Sequence, residues 1–230
     1  MQTLEEWLKS IEWLRAKQLT ELFELYFHRD PFRPLVYNPR AFYSPADGIV
    51  VYCEQVKPGE QIIDIKGENY TLKELLRKDT EEECLVIGIF MTPFDVHINR
   101  MPTDGLITWR KEPVKTKNLS MVPVEIELFR KKIPPPEAFK YMVYNERVIN
   151  RVYVPRLGIQ YYVIQVADSE VNVIAHFVEQ NSFVQQGERF SVVRFGSQVD
   201  LVIPLKNLKP KIEAKLHHHV EAGKDAIASF

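Results

Sequence analysis

The chain has 230 residues, of which 45% are hydrophobic, so it can bury a full core as one large domain or two small ones. Thirty basic residues against thirty-one acidic ones leave a net charge of −1, which gives no electrostatic basis for binding nucleic acid. The two cysteines, Cys53 and Cys84, predict a reducing compartment rather than a disulfide framework. Because no signal-peptide pattern and no apolar run of bilayer length occurs, we expect an intracellular protein that is not integral to a membrane.

Residues 1–29 form an N-terminal segment with helical periodicity. Thr3 and Glu6 make a capping-box pattern, and the apolar residues that follow recur at helical spacing. The pattern predicts one long amphipathic helix, or two helices with a break near 18–20. Such a segment either docks on the protein's own core or lies at a membrane interface. The aromatic side chains that would settle at the level of lipid headgroups are Trp7, Trp13, Phe23 and Phe27.

From residue 30 onward, short runs rich in β-branched and aromatic residues alternate with turns. One short helix is predicted from Thr71, with Glu74 as its capping-box partner, through Arg77. The basic, proline-rich stretch 129–136 is predicted as an extended, exposed loop. The predicted strands are 49–52, 61–65, 85–90, 106–109, 161–166, 171–177 and 190–193.

These elements predict a mainly β (α+β) fold: an antiparallel β-sandwich or barrel-like core with an N-terminal amphipathic helical segment and one short internal helix. Residues 30–230 would form this β-rich domain, and residues 1–29 would precede it.

The dipeptide Gly196-Ser197 interrupts a run that is otherwise typical of β-strand on both sides. Glycine lacks a Cβ, so a hydroxyl group can approach its carbonyl closely. Ser197 Oγ at this position is suited to attack the Gly196 carbonyl and shift the chain from amide to ester. For the dipeptide taken alone, a β-bulge or a strand-end turn is the far commoner explanation.

Two other segments carry candidate chemistry. Residues 44–48 end in Asp-Gly and enter the first predicted strand of the body, which is also ordinary turn chemistry. Residues 91–102 contain Asp, His, Asn and Arg, which are costly to bury and must be exposed or mutually satisfied around a site. His97 in this segment is a candidate acid/base residue. The run 217–219, three consecutive histidines, is interpreted as a solvated feature of the tail, and no metal site is predicted.

In that order, the segments 44–48, 93–102 and 195–197 resemble the phosphatidylserine decarboxylase family, specifically its short, single-core members. The resemblance covers roughly residues 30–230. Further similar stretches are 65–76, 144–147 and 220–228.

The resemblance implies a lyase made as a proenzyme, or zymogen, that cuts itself between Gly196 and Ser197 into chains 1–196 and 197–230. Ser197 attacks Gly196, the ester eliminates to dehydroalanine, and hydrolysis with loss of ammonia leaves a covalent pyruvoyl group. No external cofactor is then needed. The ketone would form a Schiff base with the amine of phosphatidylserine and accept the electrons released with carbon dioxide, giving phosphatidylethanolamine in phospholipid biosynthesis.

Roles are transferred position by position. Ser197 matches the pyruvoyl precursor, Asp47 the aspartate of the self-cleavage apparatus, and His97 the histidine of the decarboxylation step. Longer members have a second histidine three residues later, which activates the serine, but this chain has Arg100 there. Arginine stays protonated near neutral pH, so His97 is predicted as the principal base, with a water-linked role of Asp47 or poor processing as alternatives.

Arg100 is instead a candidate for holding a substrate phosphate or carboxylate, together with Asn99, or for a salt bridge with Asp95 or Asp104. The predicted partners are a phospholipid at the membrane surface and the chain's own smaller fragment, with homo-oligomerisation left open. The predicted location is cytoplasmic and peripheral to the membrane.

Two other functions remain open. One is a pyruvoyl decarboxylase of another serine lipid, such as an archaeal ether lipid, or of a soluble amino acid. The other is a non-enzymatic β-sandwich protein related in its tail to biotinyl or lipoyl carriers, although no lysine is placed in a suitable tight hairpin.

Overall fold

The computed structural model describes residues 1–22, 26, 29–65, 67–114, 117–169, 174–193, 197–206 and 208–230. Helices are few and short. They are α1 (Leu4–Ser10), α2 (Glu12–Arg15), α3 (Leu19–Leu22), α4 (Leu72–Leu76), α5 (Val122–Phe129) and α6 (Tyr141–Tyr144), with a 3-10 turn at Pro136–Phe139.

Strands make up most of the regular structure. They are β1 (Gln2–Thr3), β2 (Ala41–Tyr43), β3 (Gly48–Val56), β4 (Cys84–Met91), β5 (Ile98–Arg100), β6 (Gly105–Glu112), β7 (Arg147–Val154), β8 (Ile159–Ala167), β9 (Ile174–His176), β10 (Ser182–Val184), β11 (Arg189–Val193), β12 (Ser197–Pro204), β13 (Lys211–Ile212), β14 (His218–Val220) and β15 (Ala226–Ser229).

A large open antiparallel sheet organises the chain, in the order β1-β14-β3-β4-β12-β8-β7-β6-β10. Because side chains alternate across a strand, each face of the sheet carries its own core. Helices cover one face, where Leu75 of α4 and Leu128 of α5 belong to the same hydrophobic cluster as Phe90 of β4. Two three-stranded sheets, β5-β11-β9 and β13-β15-β2, cover the other, where Phe42 and Phe190 pack against the strands. The predicted mainly β, antiparallel fold is confirmed, as an open sheet rather than a closed barrel.

The N-terminal segment docks on the helical face. The Thr3–Glu6 capping box forms, with Thr3 N donating to Glu6 Oε2 at 2.8 Å. Helicity breaks at Ile11 and again after Arg15, so three short helices replace the predicted one or two. Trp7, predicted as an interfacial side chain, is buried, whereas Trp13 is 54% exposed. Phe23 and Phe27 lie outside the described residues.

Two local predictions around α4 are wrong. Residues 61–65 make one isolated bridge, from Gln61 to Thr71, because Ile62 and Ile65 bury their side chains from irregular backbone. The predicted capping box of α4 is absent, since Thr71 makes no side-chain cap bond and Glu74 pairs with Arg77 instead.

Residues 129–136 are not one extended loop, and α4 is not the single internal helix. Phe129 is the last residue of α5, whose burial of Val124 and Leu128 on one face stabilises it, and Pro136 opens the 3-10 turn that precedes α6.

Candidate active site

The predicted site segments meet at the C-terminal end of β4. Ile49 in β3 pairs with Phe90, and Ser197 in β12 pairs with Met91, so β4 ends between the starts of its two neighbours. Asp47 immediately precedes β3. Gly48 is required here because a Cβ at this position would lie 2.2 Å from the carbonyl oxygen of Phe90. The sheet therefore brings Asp47 and Ser197 to the two sides of the same strand end.

Ser197 is fully buried at the first position of β12. Its backbone pairs with Met91 on one side and with Ala167 on the other, and its Oγ donates to the Met91 sulfur at 3.2 Å. A thioether is a weak acceptor and no base, so this contact holds the hydroxyl group without activating it. Gly196, the other residue of the predicted cleavage site, lies outside the described residues.

The loop from Thr92 to His97 is held by its own hydrogen bonds. Asp95 Oδ2 accepts from the backbone N and from the Oγ1 of Thr92, each at 2.8 Å. His97 Nδ1 donates to the Asp95 carbonyl at 2.9 Å, which puts the lone pair of the neutral ring on Nε2. The His97 carbonyl accepts from Val193 N at 3.1 Å. His97 is thus attached to the last described residue before the predicted cleavage site.

Asp47 forms a buried ion pair with Arg33. Both carboxylate oxygens accept from the guanidinium group at 2.6 Å, and Oδ1 also accepts from Ala222 N at 2.7 Å. Burial raises the pKa of Asp47 above its ordinary value, although Arg33 and the Ala222 amide oppose the shift. The ionised form of Asp47 therefore depends on Arg33.

His219 is a site residue that the sequence analysis missed, because the run 217–219 was interpreted as solvated. It is buried, and its Nε2 lies 2.7 Å from Asp95 Oδ1. Burial disfavours the imidazolium, but the Asp95 carboxylate outweighs it, so the pKa of His219 is raised. Burial also opposes ionisation of Asp95, but His219 and the bonds from Thr92 hold the pKa of Asp95 below its usual value.

A cavity of about 490 Å³ joins these two ion pairs beneath the N-terminal segment. Asp47, Arg33, Asp95 and His219 line it, and Trp7 forms part of its wall. Two carboxylates, a guanidinium and an imidazole thus share one partly open cavity next to the strand end. Such a combination of charged groups suits proton transfer and the binding of a zwitterionic or anionic group.

A family model for phosphatidylserine decarboxylase matches residues 20–228. The chain belongs to this family. This membership confirms the family resemblance seen in the sequence and the predicted enzyme class, a decarboxylase. It argues against the non-enzymatic alternative.

Relatives in this family are similar over most of their length. The phosphatidylserine decarboxylase proenzyme of Cytophaga hutchinsonii is 30% identical, covering 91% of this chain and 78% of the relative. That of Chlorobium limicola is 29% identical, covering 91% and 80%. A protein of Methanocaldococcus jannaschii whose name assigns it as an archaetidylserine decarboxylase proenzyme is 29% identical, covering 90% and 89%.

Arg100 and Asn99, the predicted substrate contacts, point into different surroundings. Arg100 donates to the Gly187 carbonyl at 3.0 Å and lies 3.3 Å from Asp30, so the expected salt bridge with Asp95 or Asp104 is wrong. Asp95 pairs with His219 instead, and Asp104 with Arg156.

Asn99 belongs to a buried polar chain. It accepts from Gln165 Nε2 at 2.6 Å, and Gln165 accepts from Asn150 at 2.9 Å, which contacts His176 at 2.7 Å. The Asn99 amide also lies 3.8 Å from the Met91 sulfur that holds Ser197. Asn99 is therefore a polar side chain that contacts the same Met91 sulfur as the predicted nucleophile, Ser197.

The described part of the chain holds neither a cluster of metal-ligating side chains nor a membrane-spanning helix. No three His, Cys, Asp or Glu side chains there are grouped closely enough to hold a metal ion. No described helix is long and apolar enough to cross a bilayer.

Proposed function

We propose that this protein is a proenzyme that cuts itself between Gly196 and Ser197 and then decarboxylates phosphatidylserine to phosphatidylethanolamine. The observation that carries the proposal is the convergence of Asp47, the loop bearing His97, and Ser197 on the end of β4. The printed names of the relatives, which are decarboxylase proenzymes, support it.

For self-cleavage, Ser197 Oγ bonds to the Gly196 carbonyl carbon while the C–N bond breaks. The hydroxyl proton passes to a base and then to the departing amine of residue 197. His97 is the proposed base, because its Nδ1 is fixed on the Asp95 carbonyl and its Nε2 carries the lone pair. Asp47, held ionised by Arg33, is proposed to assist from the other side of the strand end.

The residues present fit a pyruvoyl group derived from Ser197. Among the described residues, no charged side chain makes a hydrogen bond to Ser197, which is fully buried and fixed on both sides by neighbouring strands. When formed, the group would supply a ketone that reacts with an amine and accepts electrons. Asn99 is proposed to orient the substrate through its amide, and the buried surroundings of Ser197 exclude water from the reacting carbon.

A second candidate substrate is an ether-linked serine lipid. It is favoured by the similarity to the M. jannaschii protein, which extends over 89% of that relative. The two lipids share a headgroup and differ in their chains, so assays with both separate the candidates.

We also propose peripheral attachment to the membrane. The segment between residues 31 and 37 combines two prolines with four exposed apolar side chains, and Phe32 is 91% exposed. This segment walls cavities of about 340 and 410 Å³, and its Arg33 holds Asp47. Apolar side chains exposed beside the proposed site suit contact with the lipid surface that carries the substrate.

The test is the intact mass of the purified protein. We expect chains 1–196 and 197–230 from the natural sequence, with a carbonyl in place of the amine at the start of the smaller chain. Ser197→Ala and His97→Ala should stay uncut, while Ser182→Ala, which changes the first residue of β10, should be cut normally. A cut Ser197→Ala protein, or a free amine on the smaller chain, contradicts the proposal.

A further inference from the structure

We propose that His219 is a positioning residue for self-cleavage, which acts through Asp95 on His97. The inference rests on the proposed function and adds a residue from the smaller chain to it. One residue, Asp95, connects the two histidines: its side chain contacts His219 at 2.7 Å and its carbonyl accepts from His97 Nδ1 at 2.9 Å.

Both carboxylate oxygens of Asp95 accept hydrogen bonds, and these bonds fix the conformation of its loop. Oδ2 is occupied by the two donors of Thr92, and Oδ1 by His219. If the charge of His219 is lost, the buried Asp95 carboxylate loses its counter-ion, and the loop is free to turn Oδ1 toward another donor. The carbonyl that orients His97 belongs to the same residue and moves with it.

The protein keeps this pair away from water with its own N-terminus. The Trp7 ring stacks on His219 with centroids 5.2 Å apart and planes 13° from parallel. β1 pairs with β14 on one side, Gln2 opposite His219, and β3 pairs on the other, Ile49 opposite His219. The side chains of His219 and Asp95 are 8% and 2% exposed, so their attraction is little screened by solvent.

Other charges face the pair from several elements. Asp47, before β3, and Glu221, after β14, both favour the charged form of His219, and Arg33 lines the same cavity. Burial raises the pKa of Glu125 in α5 to about 7, and the negative charge of Asp95 contributes to this shift. The basic groups Arg29, Lys224 and the Met1 amine also line this cavity, but Asp95, Asp47 and Glu221 together raise the pKa of His219 despite its burial.

The neighbouring histidine provides a matched control. His218 occupies the adjacent position in β14, where its side chain alternates to the opposite side and its Nδ1 contacts the Leu216 carbonyl at 3.1 Å. A general effect of removing an imidazole from β14 would appear in both variants, whereas positioning of Asp95 involves His219 alone.

The experiment follows the appearance of the smaller chain from pH 5 to pH 9 in the natural protein, His219→Gln and His218→Gln. Gln keeps a donor for Asp95 but carries no charge. We expect His219→Gln to cut about tenfold more slowly at pH 7, equal to about 1.4 kcal/mol in the barrier. His218→Gln should match the natural protein.

The pH profile separates positioning from mere destabilisation. The raised pKa of His219 means that its charge is present below about pH 6.5 and is lost as pH rises through the higher folded value. The rate of self-cleavage of the natural protein should therefore fall on the alkaline side of the pH profile, and His219→Gln should lack this fall. Its acid limb should move to higher pH, because Asp95 without the imidazolium is protonated more readily. An unchanged profile overturns the inference.

A second measurement does not depend on cleavage. In the uncut Ser197→Ala protein, nuclear magnetic resonance should give His219 a pKa above 6.5, and adding His219→Gln should shift the ring signals of His97. Unchanged His97 signals refute the positioning role. If these signals shift but the natural protein is never cut, the proposed function fails while the link between the two histidines stands.

Discussion

Replacing Arg33 with Met tests whether the Asp47 ion pair controls both stability and reaction. Met keeps the apolar stem of Arg33 and removes its charge. The substitution deletes two bonds to Asp47 at 2.6 Å and one to the Ala222 carbonyl at 2.8 Å. The Arg33 and Asp47 side chains are 8% and 4% exposed, so the ion pair is buried. Removing one partner of such a buried pair costs about 3 to 5 kcal/mol of unfolding free energy.

The loss should depend on pH in a defined direction. Without Arg33, burial raises the folded pKa of Asp47 further above its unfolded value. The variant then loses stability as pH rises from about 4, because the unfolded state releases a proton that the folded state retains. The deficit relative to the natural protein should be small near pH 4 and largest at pH 7. For the same reason, the fall in the self-cleavage rate at acid pH should begin at a higher pH in Arg33→Met than in the natural protein.

The assay is urea unfolding at pH 4.5 and pH 7, with Lys73→Met as the control. Lys73 forms an ion pair with Asp79 at 2.8 Å, but both side chains are largely exposed, so its removal should leave the midpoint unchanged. If Arg33→Met shifts the midpoint no more than Lys73→Met does, or shifts it equally at both pH values, the reasoning is wrong.

Two more predictions concern the strand end and the membrane contact. Gly48→Ala should lower the free energy of unfolding by about 3 kcal/mol or more, because a Cβ 2.2 Å from the Phe90 carbonyl oxygen forces β3 away from β4. Gly158→Ala, the control, has open space but a φ of +64°, so it should lower the free energy of unfolding by about 1 to 2 kcal/mol. Equal midpoint shifts in urea would contradict this. Phe32→Ser should weaken vesicle co-sedimentation about tenfold, and Phe183→Ser, on the edge strand β10, should not. If Trp13→Ser weakens binding and Phe32→Ser does not, the N-terminal helices make the contact instead.

Local sequence patterns predicted strands that are rich in β-branched and other apolar residues. β4 and β12 were recognisable from their Ile, Val and Leu content, but β7 was missed. Its core positions include Arg147 and Asn150, which are buried because Arg147 donates to the Met142 carbonyl and Asn150 to the Val163 carbonyl. Polar core positions of this kind have no periodic hydrophobic signal.

The partners of the site residues could not be predicted for a related reason. The sequence indicated that the polar residues of 91–102 must be exposed or mutually satisfied. They are buried, and Thr92, Asp95 and His97 do satisfy one another. The other partners are distant residues: His219 for Asp95, Gln165 for Asn99 and Asp30 for Arg100. Such pairs are 124, 66 and 70 positions apart, so only the assembled sheets bring them together.

The position of β12 determines what a cut before Ser197 would produce. β12 lies between β4 and β8 in the large sheet, and β14 of the same fragment lies between β1 and β3. The Met1 amine also binds Asp225, across the proposed break. The two fragments would be interleaved in one sheet and would share the cores on both of its faces, so dilution alone should not separate them. Cleavage would leave two chains that stay folded together and separate only on denaturation. The new terminus at residue 197 would be buried from the moment it forms.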